Sequence, residues 1–288
     1  MNVYTTFQGA SSRKDILVHL GDAPYVSANR IEGMFAHQHN VVLQPNGTVF
    51  VADVYGRPIK TISLTEHVGN FCAFASNVNI IELALNTHHP LTVRDTWQDD
   101  PIGSAGPTLI DRQATTPADV HAIEALFKPF TGIMQPWTIN TTLSDSDVVS
   151  LHKRYKNNRY FNTALKGRKQ RSQAIGEAWT HVKKQEIVWQ HYTFLLRAWA
   201  LNQGYDAFHY LNDKEGKGAH SYVTLTPNQG VPTGREWTFA AERYRAMAPN
   251  LIREAFRQKA IQHNNTGVSV TMHALWANQN PMLFFDAK

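Results

Sequence analysis

The residues best suited to chemistry lie in one polar, glycine-containing loop between two strand-like stretches. Residues 205–211 and residues 221–226 have the composition of short strands, and the loop joins them. The loop contains Glu215, and Asn212 stands at its start. A Glu and an Asn in such a loop can reach a ligand held at the strand edge. On these residues alone, an ordinary solvent-exposed hairpin is the other interpretation.

The rest of the chain mixes strand and helix signals, which predicts an α+β fold. Asn46-Gly47 lies between two β-branched runs and predicts a hairpin over residues 40–54. Apolar residues at helical spacing predict helices over residues 24–38, 143–155, 172–202 and 236–262, with Pro249 breaking the last one. These elements must position the loop around Glu215.

One segment makes the protein basic. The formal net charge is +5, with 28 Lys and Arg residues against 23 Asp and Glu residues. Residues 152–171 contain no acid and hold eight of the cations, namely Lys153, Arg154, Lys156, Arg159, Lys166, Arg168, Lys169 and Arg171. Because Tyr155, Tyr160 and Phe161 lie among them, the cations could follow a phosphate backbone while the rings stack on bases. The segment indicates contact with nucleic acid or a ribonucleoprotein, and a solvated helix face is the alternative.

Several kinds of site are disfavoured by what the sequence lacks. Cys72 is the only cysteine, which rules out an intrachain disulfide, and its apolar neighbours favour burial over a reactive thiol. The histidines and acids lack a full ligand set at useful spacing, so no metal is expected. There is no P-loop and no Rossmann glycine motif. Without a signal-peptide pattern or a long apolar window, we expect a cytoplasmic protein with no membrane partner.

Three elements, in the same order along the chain, match the elements of one family. They are residues 18–21 (VHLG) with Arg30, residues 80–86 (IIELALN) with residues 89–95 (HPLTVRD) and Trp97, and residues 204–212 (GYDAFHYLN) with Glu215 and residues 221–229 (SYVTLTPNQ). They resemble the "HFG…A..R", "vypvyLnikNPLrlrD..W" and "GYDGI.Y.N..E…SY..F.P.Q" elements of ADP-ribosyltransferase-like domains found in phages, mobile elements and polyvalent proteins. In the last element Ala207-Phe208 replace Gly-Ile.

The resemblance implies an α+β fold in which two small, roughly perpendicular β-sheets surround an NAD cleft flanked by helices. We therefore expect an ADP-ribosyltransferase-like domain over residues 1–230. The basic segment lies between the matching elements, so it is expected to be an insertion near residues 152–171 that helps to select the acceptor. Residues 231–288 fall outside the match and are expected to form a C-terminal extension packed on this domain, or a small partner-binding appendage.

The resemblance also implies which residues serve the cofactor and the reaction. The expected NAD-binding residues are Gln8, Gly9, His19, Arg30, Tyr210, Asn212 and Tyr222. The expected catalytic residues are Glu215, Ser221 and His19. Gln8 stands where the family has a His or an Arg, and Gln can hydrogen-bond to a ribose or an amide but carries no charge. Ser221 stands where many members have the catalytic Glu, which leaves Glu215 as the nearest carboxylate.

Each of these assignments has a structural alternative. A lone histidine in a glycine turn, such as His19, can be purely structural, and Arg30 can form a surface ion pair. Glu215 can simply shape its loop, and most of the nearby tyrosines can belong to the core. The chemistry favours an acid, because breaking the nicotinamide–ribose bond develops an oxocarbenium-like cation that a carboxylate stabilises.

The expected function is NAD-dependent mono-ADP-ribosyl transfer to a macromolecular acceptor, a reaction of the glycosyltransferase class. The resemblance implies a phage or mobile-element effector that acts on a host protein or on nucleic acid in the host cytoplasm. Two alternatives stay open. One is a non-catalytic nucleic-acid-binding protein on an inactivated transferase scaffold, which Gln8 and Ser221 favour. The other is an NAD glycohydrolase, which would use water as the acceptor.

Overall fold

The computed structural model describes residues 1–7, 17–38, 40–44, 46–52, 58–94, 115–128, 130–131, 140–141, 143–174, 176, 178–212, 218–263 and 280–288. In chain order the strands are β1 (Asn2–Phe7), β2 (His19–Gly21), β3 (Asn40–Leu43), β4 (Thr48–Ala52), β5 (Pro58–Ser63), β6 (Asn79–Leu85), β7 (Pro90–Thr92), β8 (Phe130–Thr131), β9 (Asn140–Thr141), β10 (Ala207–Asn212), β11 (Ala219–Thr224), β12 (Gly230–Phe239) and β13 (Phe285–Ala287). The helices are α1 (Pro24–Gln38), α2 (Leu64–Ala75), α3 (Pro117–Phe127), α4 (Asp145–Tyr155), α5 (Arg159–Ala174), α6 (Trp179–Asn202) and α7 (Ala241–His263), and a 3₁₀ turn (Pro281–Phe284) precedes β13.

Eight of the described strands form one mixed sheet, in the order β13-β12-β6-β1-β2-β11-β10-β7. Neighbouring strands are antiparallel except β7 and β10, which run parallel. Strands β3, β4 and β5 form a second, antiparallel sheet, and β8 pairs with β9. The described part of the chain is therefore α+β, with a large mixed sheet and a smaller second sheet.

The predicted hairpin over residues 40–54 is confirmed. Its turn is Asn46-Gly47, in which Gly47 has φ +83°, a conformation that glycine adopts without a steric penalty. The side-chain Oδ1 of Asn46 accepts a hydrogen bond from the backbone N–H of Thr48 at 3.0 Å and so closes the turn. Strand β4 then pairs on its other side with β5.

Two large hydrophobic clusters join the helices to the strands. The first contains residues of α3, α4, α5 and α6 with side chains of β7, β10 and β11, and Phe161 and Tyr192 are among its fully buried members. The second contains residues of α1, α2 and α7 with side chains of β4 to β6 and β12, and includes Phe71 and Tyr244. A third, smaller cluster consists of strand residues such as Leu20. The helices thus form two groups, and each group packs against a different set of strands.

The single helix predicted over residues 172–202 is two helices. Helix α5 ends at Ala174, α6 begins at Trp179, and Gly176 between them has φ +73°. A residue with left-handed backbone ends a helix, because it turns the chain out of the helical path. The apolar spacing continues on both sides of this turn, which explains why the sequence pattern looked unbroken.

The helix predicted over residues 236–262 begins too early, because residues 236–239 belong to strand β12. Trp237 pairs with Ile80 of β6. The register shifts between Pro232 and Glu236, so a bulge interrupts the alternation that marks a strand in the sequence. Strand β12 was therefore missed.

Pro249 lies inside α7 and does not end it. Its neighbour Ala248 is fully buried, and Ile252, one turn on, is nearly so. Because α7 packs against α2 in the second cluster, burial offsets the hydrogen bond that proline removes. Cys72 of α2 is also fully buried there, as predicted.

The C-terminal strands are part of the main sheet. Strand β12 pairs with β6, and β13 pairs with β12 at the sheet edge. Among the described helices, none is both long and apolar enough to span a bilayer.

Candidate functional site

The close approach of α1 to β2 brings His19 and Arg30 together. A Cβ on Gly21 would lie 2.8 Å from the Cβ of Val26, so only glycine allows this spacing without a shift. Arg30 follows Val26 by four residues and lies one turn further along the same helix face. His19 precedes Gly21 by two residues and points to the same face of the strand. The positive charge of Arg30 is near enough to the His19 ring to lower its pKa.

His19 is a neutral group at physiological pH. Burial lowers the pKa of the imidazole well below its usual range, and the positive charge of Arg30 lowers the pKa further. The backbone carbonyl of His19 accepts a hydrogen bond from Oγ1 of Thr5 at 2.8 Å, which fixes β2 against β1. A neutral imidazole has one donor and one acceptor nitrogen, so His19 can bind both kinds of polar group.

Ser221 lies on the strand beside His19 and shares its face of the sheet. Strand β11 places Ser221 opposite Gly21, and β10 places Tyr210 opposite Ser221. The Nδ2 of Asn212 donates a hydrogen bond to Oγ of Ser221 at 3.0 Å. Ser221, Asn212 and Tyr210 are all buried, whereas His19 and Arg30 are partly exposed. We call this surface, formed by His19, Gly21 and Ser221 of the main sheet and covered by α1, the helix face.

Tyr222 lies on the opposite face of the sheet from Ser221, because successive strand residues point to opposite sides. Its ring lies 5.0 Å from the ring of His209, measured between centroids, and the rings of His209 and His220 are also 5.0 Å apart. We call this opposite surface, carrying His209, His220 and Tyr222, the histidine face. The structure thus separates Tyr222 from the other predicted cofactor residues that it describes.

The histidine face contains a chain of polar contacts that the sequence pattern did not single out. The Nε2 of His209 and the Nδ1 of His220 are 2.8 Å apart, and the Nδ1 of His209 lies 3.3 Å from Oγ1 of Thr92. Burial and the nearby His220 lower the pKa of His209, and the charge of Asp22 opposes them. His209 and Tyr222 face each other across β10 and β11, so alternation along both strands was the signal that could have revealed the group.

We call residues 204–229, which resemble the last element of the family, the family-like segment. Several of its residues hold the strand ends in place and do not line the helix face. Asp206 accepts hydrogen bonds from Oγ1 of Thr87 and from the backbone N–H of His88. Burial raises the pKa of Asp206, but these hydrogen bonds outweigh burial and hold the pKa below its usual range. The Oε1 of Gln229 accepts from the backbone N–H of Leu225 at 2.7 Å, and its Nε2 donates to the carbonyl of Asp206 at 2.7 Å. These residues fix the ends of β10 and β11.

Three predicted site residues, Gln8, Gly9 and Glu215, lie outside the described residues. In the sequence, Gln8 and Gly9 directly follow β1, and Glu215 lies in the segment that joins β10 to β11.

The predicted nucleic-acid segment is built from the end of α4 and from α5. Its exposed cations are Lys153, Arg154, Lys156, Arg159, Lys166 and Lys169, whereas Arg168 is partly buried and the side chain of Arg171 is outside the described part. The rings interleaved with these cations pack, wholly or in part, against the protein. Phe161 is fully buried, and Tyr155 and Tyr160 pack against Phe194 with ring centroids 4.9 and 6.1 Å away.

Among the residues that the structure describes, no group of three or more His, Cys, Asp or Glu side chains is arranged to hold a metal ion. Comparison with protein-family models finds no match. Comparisons with curated proteins and with solved structures find no match either.

Proposed function

We propose that the protein binds NAD⁺ on the helix face and transfers its ADP-ribose group to a macromolecular acceptor. The observation that supports this most is the pairing of a neutral, partly buried His19 with Arg30, beside the strand that carries Ser221. Both residues are among those that the resemblance to ADP-ribosyltransferase-like domains assigns to NAD binding.

The two partly exposed groups of the helix face suit two parts of NAD⁺. The guanidinium of Arg30 presents several N–H donors in one plane, which matches the oxygens of a diphosphate. The uncharged ring of His19 can exchange hydrogen bonds with ribose hydroxyls or the nicotinamide amide. A protonated histidine next to Arg30 would add a second positive charge, and its lowered pKa prevents this at neutral pH.

The buried groups of the helix face support the loop that carries the predicted acid. Asn212 ends β10, and its hydrogen bond to Ser221 ties that strand end to β11. The backbone N–H of Gly218 also donates to the carbonyl of Asn212 at 3.0 Å. The ends of the connection containing Glu215 are therefore held together. Because Ser221 is fully buried, we assign it a positioning role, with Glu215 as the catalytic acid.

The reaction balances without a further reagent. The bond between C1′ of the ribose and the nicotinamide nitrogen breaks, and the leaving nicotinamide keeps the electron pair. The carboxylate of Glu215 stabilises the positive charge that develops on the ribose. A nucleophile of the acceptor then bonds to C1′ and loses its proton, which the carboxylate can accept.

The test is to incubate the full-length protein with NAD⁺ labelled in its adenylate part and a bacterial lysate, and to follow label in protein and nucleic acid together with free nicotinamide. Wild type is expected to transfer label, and Glu215→Gln and Arg30→Gln are expected to lose transfer. Arg253→Gln, which removes an exposed cation of α7, is the matched control and should keep it.

Other results of this experiment would favour one of the two alternative functions. Free nicotinamide without label on any macromolecule would replace transfer by NAD⁺ hydrolysis. Neither label nor nicotinamide, from a folded wild type, would overturn enzymatic activity and leave a nucleic-acid-binding protein on an inactive scaffold. The exposed cations of α4 and α5 are the observation that favours this second candidate.

A further inference from the structure

Three cations of α5 are exposed, namely Arg159, Lys166 and Lys169. With 3.6 residues per turn, Arg159 and Lys166 are nearly two turns apart and lie almost in line, and Lys169 lies to one side of that line. Phe161 and Leu165 lie about 130° round the helix from the line of Arg159 and Lys166 and are buried in the first cluster, and Lys169 lies between the two sides. The positive side chains are thus directed to solvent by the same periodicity that buries the apolar ones.

Helix α4 extends this surface. Lys153 and Arg154 are exposed in its last turn, and Lys156 is its exposed C-cap residue. The acids of α4 are at its other end, where Asp145 forms an ion pair with Lys184 at 2.6 Å and Asp147 completes the capping box. We call the exposed set of Lys153, Arg154, Lys156, Arg159, Lys166 and Lys169 the basic surface.

The basic surface is not explained by stabilisation of its own helices. Cations in the last turn of α4 do complement the negative end of the helix dipole. Arg159, however, stands in the first turn of α5, which contains no acid, and a cation is unfavourable at that positive end. The charge of Arg159 therefore does not stabilise α5 through the helix dipole.

The neighbouring histidines show the same positive field. Burial lowers the pKa of His152, and the charge of Lys183 lowers it further. Burial also lowers the pKa of His191, with Arg154 as the second cause. The charge of Lys183, on α6, therefore acts close to His152 at the end of α4, beside the basic surface.

The composition of the basic surface favours phosphate over protein or exposed bases. Protein–protein interfaces have an apolar centre, but the exposed residues of α5 beside the cations are polar or glycine, such as Asn162, Thr163 and Gln170. Single-stranded nucleic acid is bound by stacking on exposed rings, and the rings of this segment pack inward. What is left is a set of point charges and polar donors, which suits a regular phosphate backbone.

We infer that the basic surface binds the phosphate backbone of double-stranded nucleic acid, without reading its bases. The α5 part of the surface, from Arg159 to Lys169, is about 15 Å long at 1.5 Å per residue. A duplex carries one charge per about 1.7 Å of its axis, so this length of duplex carries about nine phosphate charges around its circumference. The side that faces the protein has enough phosphates for the three exposed cations of α5, and the cations at the end of α4 extend the contact along the duplex. Such binding needs no NAD⁺ and stands whether or not the protein transfers ADP-ribose.

The test measures the affinity of the full chain for short, mixed-sequence, fluorescently labelled duplexes of DNA and of RNA, from about 50 to about 200 mM NaCl and without NAD⁺. Six phosphate contacts predict a loss of affinity of about 10³-fold over this range. In Lys166→Gln with Lys169→Gln, two contacts fewer should lower the slope of log affinity against log salt by about 1.8, which reduces the loss to about 10²-fold.

The matched control is Lys60→Gln with Arg253→Gln, which removes two exposed cations from strand β5 and helix α7. This control should keep the wild-type slope. Absence of salt-dependent binding to both duplexes would overturn the inference, and so would an equal loss in the control. Tighter binding of the corresponding single strand, or equal displacement by polyglutamate, would also overturn it by indicating exposed bases or any polyanion as the ligand.

Discussion

The helix face and the histidine face use the same strands but differ in how their polar groups are held. On the helix face, Ser221 and Asn212 are buried and His19 is placed by the approach of α1 to Gly21. On the histidine face, His220 is exposed and the contacts are pairwise, from ring to ring. The first surface therefore depends on packing, whereas the second depends on individual hydrogen bonds.

This difference also shows that a sequence motif does not tell which face of a sheet each of its residues occupies. Ser221 and Tyr222 are adjacent in the family-like segment, and both were assigned to one site. Strand alternation sends them to opposite faces, with Ser221 beside Gly21 and Tyr222 against His209. A motif that runs along a strand therefore describes two surfaces, of which we propose only the helix face as an NAD⁺ site.

The largest expected effect comes from replacing Gly21, on which the helix face depends. In Gly21→Ala the new Cβ would lie 2.8 Å from the Cβ of Val26, so α1 must move and carry Arg30 away from His19. Overpacking of this kind costs about 1–3 kcal/mol, and we expect about 3 because both atoms are fixed close to the backbone. Denaturant unfolding measures the loss, and Gly69→Ala is the control.

Gly69 lies in helix α2, where an added Cβ meets nothing within 4 Å. Alanine there should leave stability unchanged or raise it by up to about 1 kcal/mol, because alanine is the better helix former. Equal stability of Gly21→Ala and Gly69→Ala would contradict the role given to the α1 contact.

The second effect compares a buried hydrogen bond with an exposed one. Ser221→Ala removes the acceptor of the Asn212 Nδ2 inside the protein, which should cost about 1–2 kcal/mol. His220→Gln breaks the contact with His209 where water can replace it, so a loss below about 0.5 kcal/mol is expected. Thermal unfolding of both variants checks the order, and a larger loss in His220→Gln would reverse the comparison.

A third effect is the dependence of stability on pH. Because the pKa of His19 is lowered in the folded protein, its contribution is fully present above about pH 6.5, the unfolded value, and is lost as pH falls towards the lowered value. One such group changes stability by at most about 1.4 kcal/mol per pH unit. His19→Gln should therefore flatten the fall in unfolding free energy between about pH 6.5 and pH 5. An unchanged slope would show that His19 is not buried neutral.

Local signals were sufficient for much of the fold. Asn46-Gly47 predicted its hairpin, and the spacing of Ile31 and Phe35 predicted α1, because turn residues and helical periodicity act over a few neighbours. His19 and Arg30 were each assigned to the NAD site only from the resemblance to a family, and these assignments remain predictions.

What the sequence left undetermined depends on distant parts of the chain. Strand β12 is stabilised by β6, about 150 residues earlier, and its bulge near Thr233 hides the alternation. The inward packing of Tyr155 depends on Phe194 of another helix, so the eight cations and three rings looked like one surface. The contact between His209 and Thr92 joins two strands that are far apart in the chain.

We propose that the helix face, and not the histidine face, binds NAD⁺. This is tested most directly by calorimetric titration of NAD⁺ into wild type, Arg30→Gln and Tyr222→Phe. We expect Arg30→Gln to weaken binding by about 10- to 100-fold, the worth of a charged hydrogen bond, and Tyr222→Phe to bind as wild type does. Loss of affinity in Tyr222→Phe with none in Arg30→Gln, or no binding of NAD⁺ to the folded wild type, would contradict it.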